Sequence, residues 1–226
     1  MSFKEFLKEL NGNRVEGELI KLIISSLITS FIVLGILYFK LGSSFFLKSG
    51  YFIFFAILSY AILIPTIRQV RAYSEMPCMA GMMAGMATGM IAGFLPGFYI
   101  ASTNGMFVGS LFGMTIGISL GIWNGKCCGI MGVMEGIMAG FMGGLMGAMT
   151  AFMLLNDNLK TAAIVVFFIS AVIIFSLNYM IYKEMRESVR EKKENQFWII
   201  VLTFILTIVT VWFMAFGPKT GVFAGG

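Results

Sequence analysis

The sequence predicts an all-α, polytopic membrane bundle of about seven helices, and three observations carry that prediction. Of 226 residues, 58% are hydrophobic and only 12% charged, with a mean hydropathy of +0.91. A soluble domain of this length has too little interior to hide so much apolar surface. The apolar residues fall in runs close to the length that crosses a hydrocarbon core. Strict apolar–polar alternation, the mark of an outer-membrane barrel, is absent. Helices satisfy every backbone hydrogen bond within one segment, as hydrocarbon demands.

The chain opens on an amphipathic segment, 1–18, in which Phe3, Phe6, Leu7 and Leu10 share a face. It reads as a cytoplasmic helix lying on the membrane surface, with no cleavable signal. Residues 19–75 hold two spans, 19–39 and 50–66, the second being the shortest. Residues 76–154 hold three more, at 77–101, 104–123 and 128–154. Residues 155–226 hold the last two, 161–182 and 197–216, around a charged cytoplasmic loop at 183–196.

Lys and Arg set the orientation. With seven spans, Lys4, Lys8, Arg14, Lys21, Arg68, Arg71, Lys126, Lys183, Arg186, Arg190, Lys192 and Lys193 fall on one side. Lys40, Lys48, Lys160 and Lys219 fall on the other. The N-terminus is expected in the cytoplasm and the protein in the cytoplasmic membrane.

The middle of the chain differs from its flanks. Residues 76–153 hold 15 of the 19 methionines and 18 of the 27 glycines, whereas the other spans are built of Ile, Leu, Phe and Val. Glycines recur at Gly81, Gly85, Gly89, Gly93 and Gly97, then at Gly105, Gly109, Gly113, Gly117, Gly121, Gly125 and Gly129. A third row is Gly132, Gly136, Gly140 and Gly144. Four-residue spacing keeps small side chains on one side of a helix and lets backbones approach closely. The partner of these rows is either another span or a second copy in a homo-oligomer.

Short turns join the three spans. "ASTNG" at 101–105 admits only a tight hairpin, and "WNGKCC" forms the corresponding cytoplasmic turn. Asn124–Gly125 is expected to supply the left-handed residue that ends a helix. Pro77 suits a first helical turn. Pro96 should kink or interrupt its span.

Sulfur is the chemical signal. Met76, Met79, Met83, Met86 and Met90 form one helical stripe, with Cys78, Met82 and Met86 as a neighbouring row. On the fifth span Cys127, Met131, Met134 and Met138 repeat the pattern beside Cys128, and Met142, Met146, Met149 and Met153 continue it. Both stripes begin at cytoplasmic cysteines, where thiols stay reduced. Helix N-termini and Lys126 should favour thiolates there.

Thiolate and thioether together select Cu(I) over harder ions. There is no histidine, and carboxylates do not cluster, which argues against Zn, Fe, Mn, Mg and Ca. Methionine also fills irregular space beside glycine, and a stripe of it alone is ordinarily packing. Glu135, about 12 Å along the axis from Cys127 at helical rise, is the one acid well inside a span. It either attracts a cation or proton, or reaches Lys126 and cytoplasmic water.

In chemistry the Met-rich spans resemble the membrane helices of copper transporters, which relay Cu(I) along methionine. Seven spans, glycine rows and vicinal cysteines are not the pattern of the small trimeric copper importers. No nucleotide loop, phosphorylated-Asp motif or nucleophile–base pair is present, so neither an ATP-driven pump nor an enzyme is expected. The leading expectation is a protein that binds Cu(I) through Met76, Cys78, Met79, Met82, Met86, Cys127, Cys128, Met131 and Met134. It would move the ion or hand it to a metallochaperone, with the lipid bilayer as its surroundings and no nucleic-acid partner. The second reading is a glycine-zipper scaffold or channel-like oligomer in which sulfur only packs.

Overall fold

The computed structural model describes residues 15–41, 43–72, 77–185 and 196–219. The described residues are helical, with no strands. In chain order they form α1 Val15–Leu41, α2 Ser43–Ala72, α3 Cys78–Asn104, α4 Met106–Gly125, a 3-10 turn Lys126–Cys128, α5 Gly129–Met153, α6 Leu159–Met185 and α7 Gln196–Phe216. Four stretches are long and apolar enough to cross a membrane: Gly50–Arg71, Cys78–Asn104, Met106–Met153 and Leu159–Glu184. Leu22–Ile36 and Ile200–Phe216 are shorter apolar helices. Most of the 1–18 segment, Met76 and most of the 183–196 loop lie outside the described residues.

Glycine decides how α3, α4 and α5 meet. The Met106–Met153 stretch folds back on itself, so that Gly125, Gly121, Gly117 and Gly113 oppose Gly132, Gly136, Gly140 and Gly144 in antiparallel register. On α3, Gly85, Gly89, Gly93 and Gly97 run parallel to the same four residues of α5 and also meet α4. Gly109 packs against Ala101. A methyl group on Gly93 would lie 2.8 Å from the Gly140 carbonyl and 2.9 Å from the Gly144 nitrogen, closer than real side chains come. The glycine rows are therefore occupied by spans of the same chain.

Of the remaining helices, α2, α6 and α7 pack on the other sides of α3, and α1 packs on α2 and α7. Ile53, Leu95, Phe98, Tyr99 and Ile100 are fully or almost fully buried between them. Polar ties fix the packing. Tyr60 and Thr210 share a 2.8 Å hydrogen bond between α2 and α7. The Asn104 amide donates to the Phe213 carbonyl at 2.8 Å. Asn178 donates to Thr66 at 3.3 Å, joining α6 to α2. By contrast, among the described residues α5 packs chiefly against α3, α4 and the turn, with its far side at the edge of the bundle.

Four local expectations are corrected. The second span does not end at 66: α2 has 30 residues and continues past Pro65, and its apolar stretch runs Gly50–Arg71. Its last two turns bury Thr66, Arg68, Gln69 and Val70 against protein, where a polar helix end is tolerated. Pro96 does not interrupt α3, which is helical from Cys78 to Asn104. Ala92, whose carbonyl the proline leaves without its helical donor, is wholly buried in protein. Pro77 stands just before α3, its carbonyl accepting from the Gly81 N–H at 3.1 Å. Gly125 is right-handed, at φ −69°, because α4 tightens into the 3-10 turn before reversing. Gly129, at φ +69°, is the left-handed residue there, and Gly105, at φ 113°, makes the other hairpin almost alone.

Replacing Gly121 or Gly144 by Ala drives a methyl into backbone, and overpacking of this kind costs about 1–3 kcal/mol. Gly35 has nothing within 4 Å of an added methyl. Thermal unfolding in detergent should show a clear fall for Gly121→Ala and Gly144→Ala, and none for Gly35→Ala.

Candidate functional site

The three cysteines come together where the turn caps the trio. The 3-10 turn holds Cys127 and Cys128 over the first turn of α3, which begins at Cys78. The Cys128 thiol donates to the Cys78 carbonyl at 3.2 Å. The Cys127 sulfur lies beside it, over Gly81. Cys127 donates to the Asn124 carbonyl at 3.0 Å. All three are free thiols, Cys78 and Cys127 exposed and Cys128 half-buried.

The room for these sulfurs comes from Gly81. A methyl there would collide with Cys128 Sγ and stand 3.1 Å from Cys127 Sγ. Below the cap, the buried Asn124 side chain donates to Thr88 at 3.0 Å, and Thr88 donates to the Ala84 carbonyl at 2.6 Å. This bond locks α4 to α3 beneath the thiols. Beside it, the Arg71 guanidinium lies 5.0 Å from the centre of the Trp123 ring, a cation–π contact between α2 and α4.

The expectation of ready thiolates is corrected. Burial raises the Cys127 thiol, against the opposing effects of a hydrogen bond from Cys128 and the charge of Arg71. Burial, then the neighbouring charge of Cys127 and hydrogen bonding to Cys78, push Cys128 up to about 11. Lys126 and the helix start do not outweigh the burial of these sulfurs.

The methionines lie on the outer faces of α3 and α5. Met79, Met83, Met86 and Met90 on α3 are 41–75% exposed. Met131, Met134, Met138, Met142, Met146, Met149 and Met153 on α5 are 47–70% exposed. Met82 is half-buried, and Met76 lies outside the described residues. Both stripes face away from the glycine contacts. Glu135 is half-buried on the same outward side of α5. Among the described residues, no group of three or more His, Cys, Asp or Glu is arranged to hold a metal ion.

Sequence reading missed three contributors: Arg71, Asn124 and Thr88. Thr88 and Asn124 carried a faint signal, as lone polar residues on glycine-rich faces. Compared with known protein families, curated proteins and solved structures, the chain matches none.

With its pKa near 11, the Cys128 thiol is almost wholly protonated at neutral pH. Because the thiolate is the nucleophile, its alkylation rate should climb about tenfold per pH unit from pH 7 to 10. Peptide-resolved mass spectrometry after timed alkylation checks this. A plateau setting in above about pH 9 would mark an ordinary thiol.

Proposed function

We propose that this chain is a multi-pass protein of the cytoplasmic membrane that binds a soft monovalent ion, Cu(I), on its thiol cap and hands it over at the cytoplasmic face. In this reading all seven helices cross the bilayer, the glycine-zipper trio is the rigid support, and the N-terminus is cytoplasmic. The observation that carries it is the meeting of Cys78, Cys127 and Cys128 at one end of the trio. Soft sulfur donors suit Cu(I), and the absence of histidine removes the usual ligand of competing ions.

The proposal places ligation on the thiols rather than on the methionine ladders. At the glycine levels of the trio, backbone meets backbone, which leaves no passage for an ion between the three helices. A handover site at the cap asks for none. Bound metal displaces thiol protons, so affinity should rise with pH.

A second reading is favoured by the outward methionines. A slab with one side of α5 unpacked and coated by flexible thioethers is suited to association with other membrane helices. The chain would then be a glycine-zipper scaffold, and its thiols passive.

Competitive Cu(I) titration of the reduced protein against a chromophoric chelator separates the two, with Ag(I) as a redox-inert check. Tight one-to-one binding should vanish in a Cys78/Cys127/Cys128→Ser variant and survive Met138→Leu/Met142→Leu. Equal, weak binding by wild type and the Ser variant would leave the scaffold reading.

A further inference from the structure

We infer that Gly81 is the socket that seats the Cys128 sulfur beside Cys127, and that this seating fits the cap to soft ions of low coordination number such as Cu(I) and Ag(I). The inference deepens the thiol reading above and rests on it.

Gly81 belongs by spacing to the packing row of α3, but its surroundings set it apart. Gly85, Gly89, Gly93 and Gly97 all face the backbone of α4 or α5. The three atoms nearest a methyl on Gly81 are Cys128 Sγ, Cys127 Sγ at 3.1 Å and Cys128 Cβ at 3.6 Å. The missing side chain is therefore used for sulfur, not for helix approach. Two separate hydrogen bonds hold the thiols in this space, Cys128 to the Cys78 carbonyl and Cys127 to the Asn124 carbonyl.

Two neighbouring thiols suffice for a monovalent soft ion. Each S–H breaks, each sulfur forms one bond to Cu(I), and two protons leave to solvent, giving an anionic dithiolate complex without change of oxidation state. Tetrahedral Zn(II) asks for four protein ligands in a closed site. The described residues offer no group of three or more His, Cys, Asp or Glu arranged for it. Coordination number, as much as softness, then discriminates against zinc.

Gly81→Ala is a clean test because the atom it strikes is the free end of a cysteine side chain, which can turn away without moving backbone. Reduced wild type, Gly81→Ala and the control Gly35→Ala would be titrated with Cu(I) against a chelator, with Zn(II) as competitor. In parallel, the metal-free proteins would be treated with phenylarsine oxide, which bridges two adjacent thiols. Gly81→Ala should lose roughly ten- to a hundredfold in Cu(I) affinity, the scale for residues that orient metal ligands. It should also lose arsenical capture, while its thermal midpoint stays with the control.

Equal Cu(I) affinity and equal arsenical capture in wild type and Gly81→Ala would overturn the socket. So would a fall in thermal midpoint as large as that of Gly144→Ala, which would make Gly81 an ordinary packing residue. Displacement of Cu(I) by equimolar Zn(II) would overturn the selectivity. If wild type bound no Cu(I), the metal reading itself would fall, and arsenical capture alone would still decide whether Gly81 seats the sulfur.

Discussion

Backbone contact among three helices is the constraint on which the rest of this structure depends. Inside a bilayer no hydrophobic force drives helices together, so association relies on close van der Waals contact and weak polar contacts between backbones. That contact requires the absence of side chains at every crossing level. A four-residue repeat supplies it, and because the repeat drifts by about 40° per step, one row on α3 can serve both α4 and α5. In water such a run of glycine would weaken each helix by roughly 1 kcal/mol per residue. In hydrocarbon the backbone has no alternative partner, and the helix persists.

Once the interior of the trio is filled by backbone, everything else is displaced to its outer faces or its ends. Met138 and Met142 each lie two residues from Gly140, about 200° around the helix at 100° per residue, and so point directly away from the contact. Long thioethers on that side restore bulk to a helix whose inner side has none. At the end that carries the thiols the packing relaxes by one side chain: Gly81 faces sulfur where its successors face backbone. The thiol cap is thus a consequence of where the glycine row stops meeting backbone.

Much of this was written in the sequence. The apolar runs gave the helices, and the three glycine rows marked which of them pack closely. Even the direction of the methionines follows from their offset to glycine on the same helix, once the glycines are known to face inward. What was hidden depended on neighbours far along the chain. Pro96 reads as a break, yet Ala92 is sealed by other helices. Gly125 reads as the left-handed stop of α4, but the chain adds a 3-10 turn and reverses at Gly129. The helix start and Lys126 read as thiolate-forming, whereas the fold crowds Cys128 against two other thiols. The ties between Thr66 and Asn178 and between Thr88 and Asn124 join residues that no local pattern relates.

Glu135 shows how placement changes the meaning of a residue. On sequence it is an intramembrane carboxylate, a type that is costly and commonly part of an ion or proton path. In the fold it sits half-buried on the outer side of α5, not between the trio helices, flanked by the exposed Met131 and Met138. It is six residues from the start of α5, about 9 Å along the axis from the thiol cap. A path through the trio would have to pass Gly117, Gly121, Gly136 and Gly140, where added methyl groups already collide with backbone. The carboxylate lies outside that backbone contact. Its position on the side away from the core, near the end of α5 that carries the thiol cap, fits a group that meets its surroundings rather than the trio.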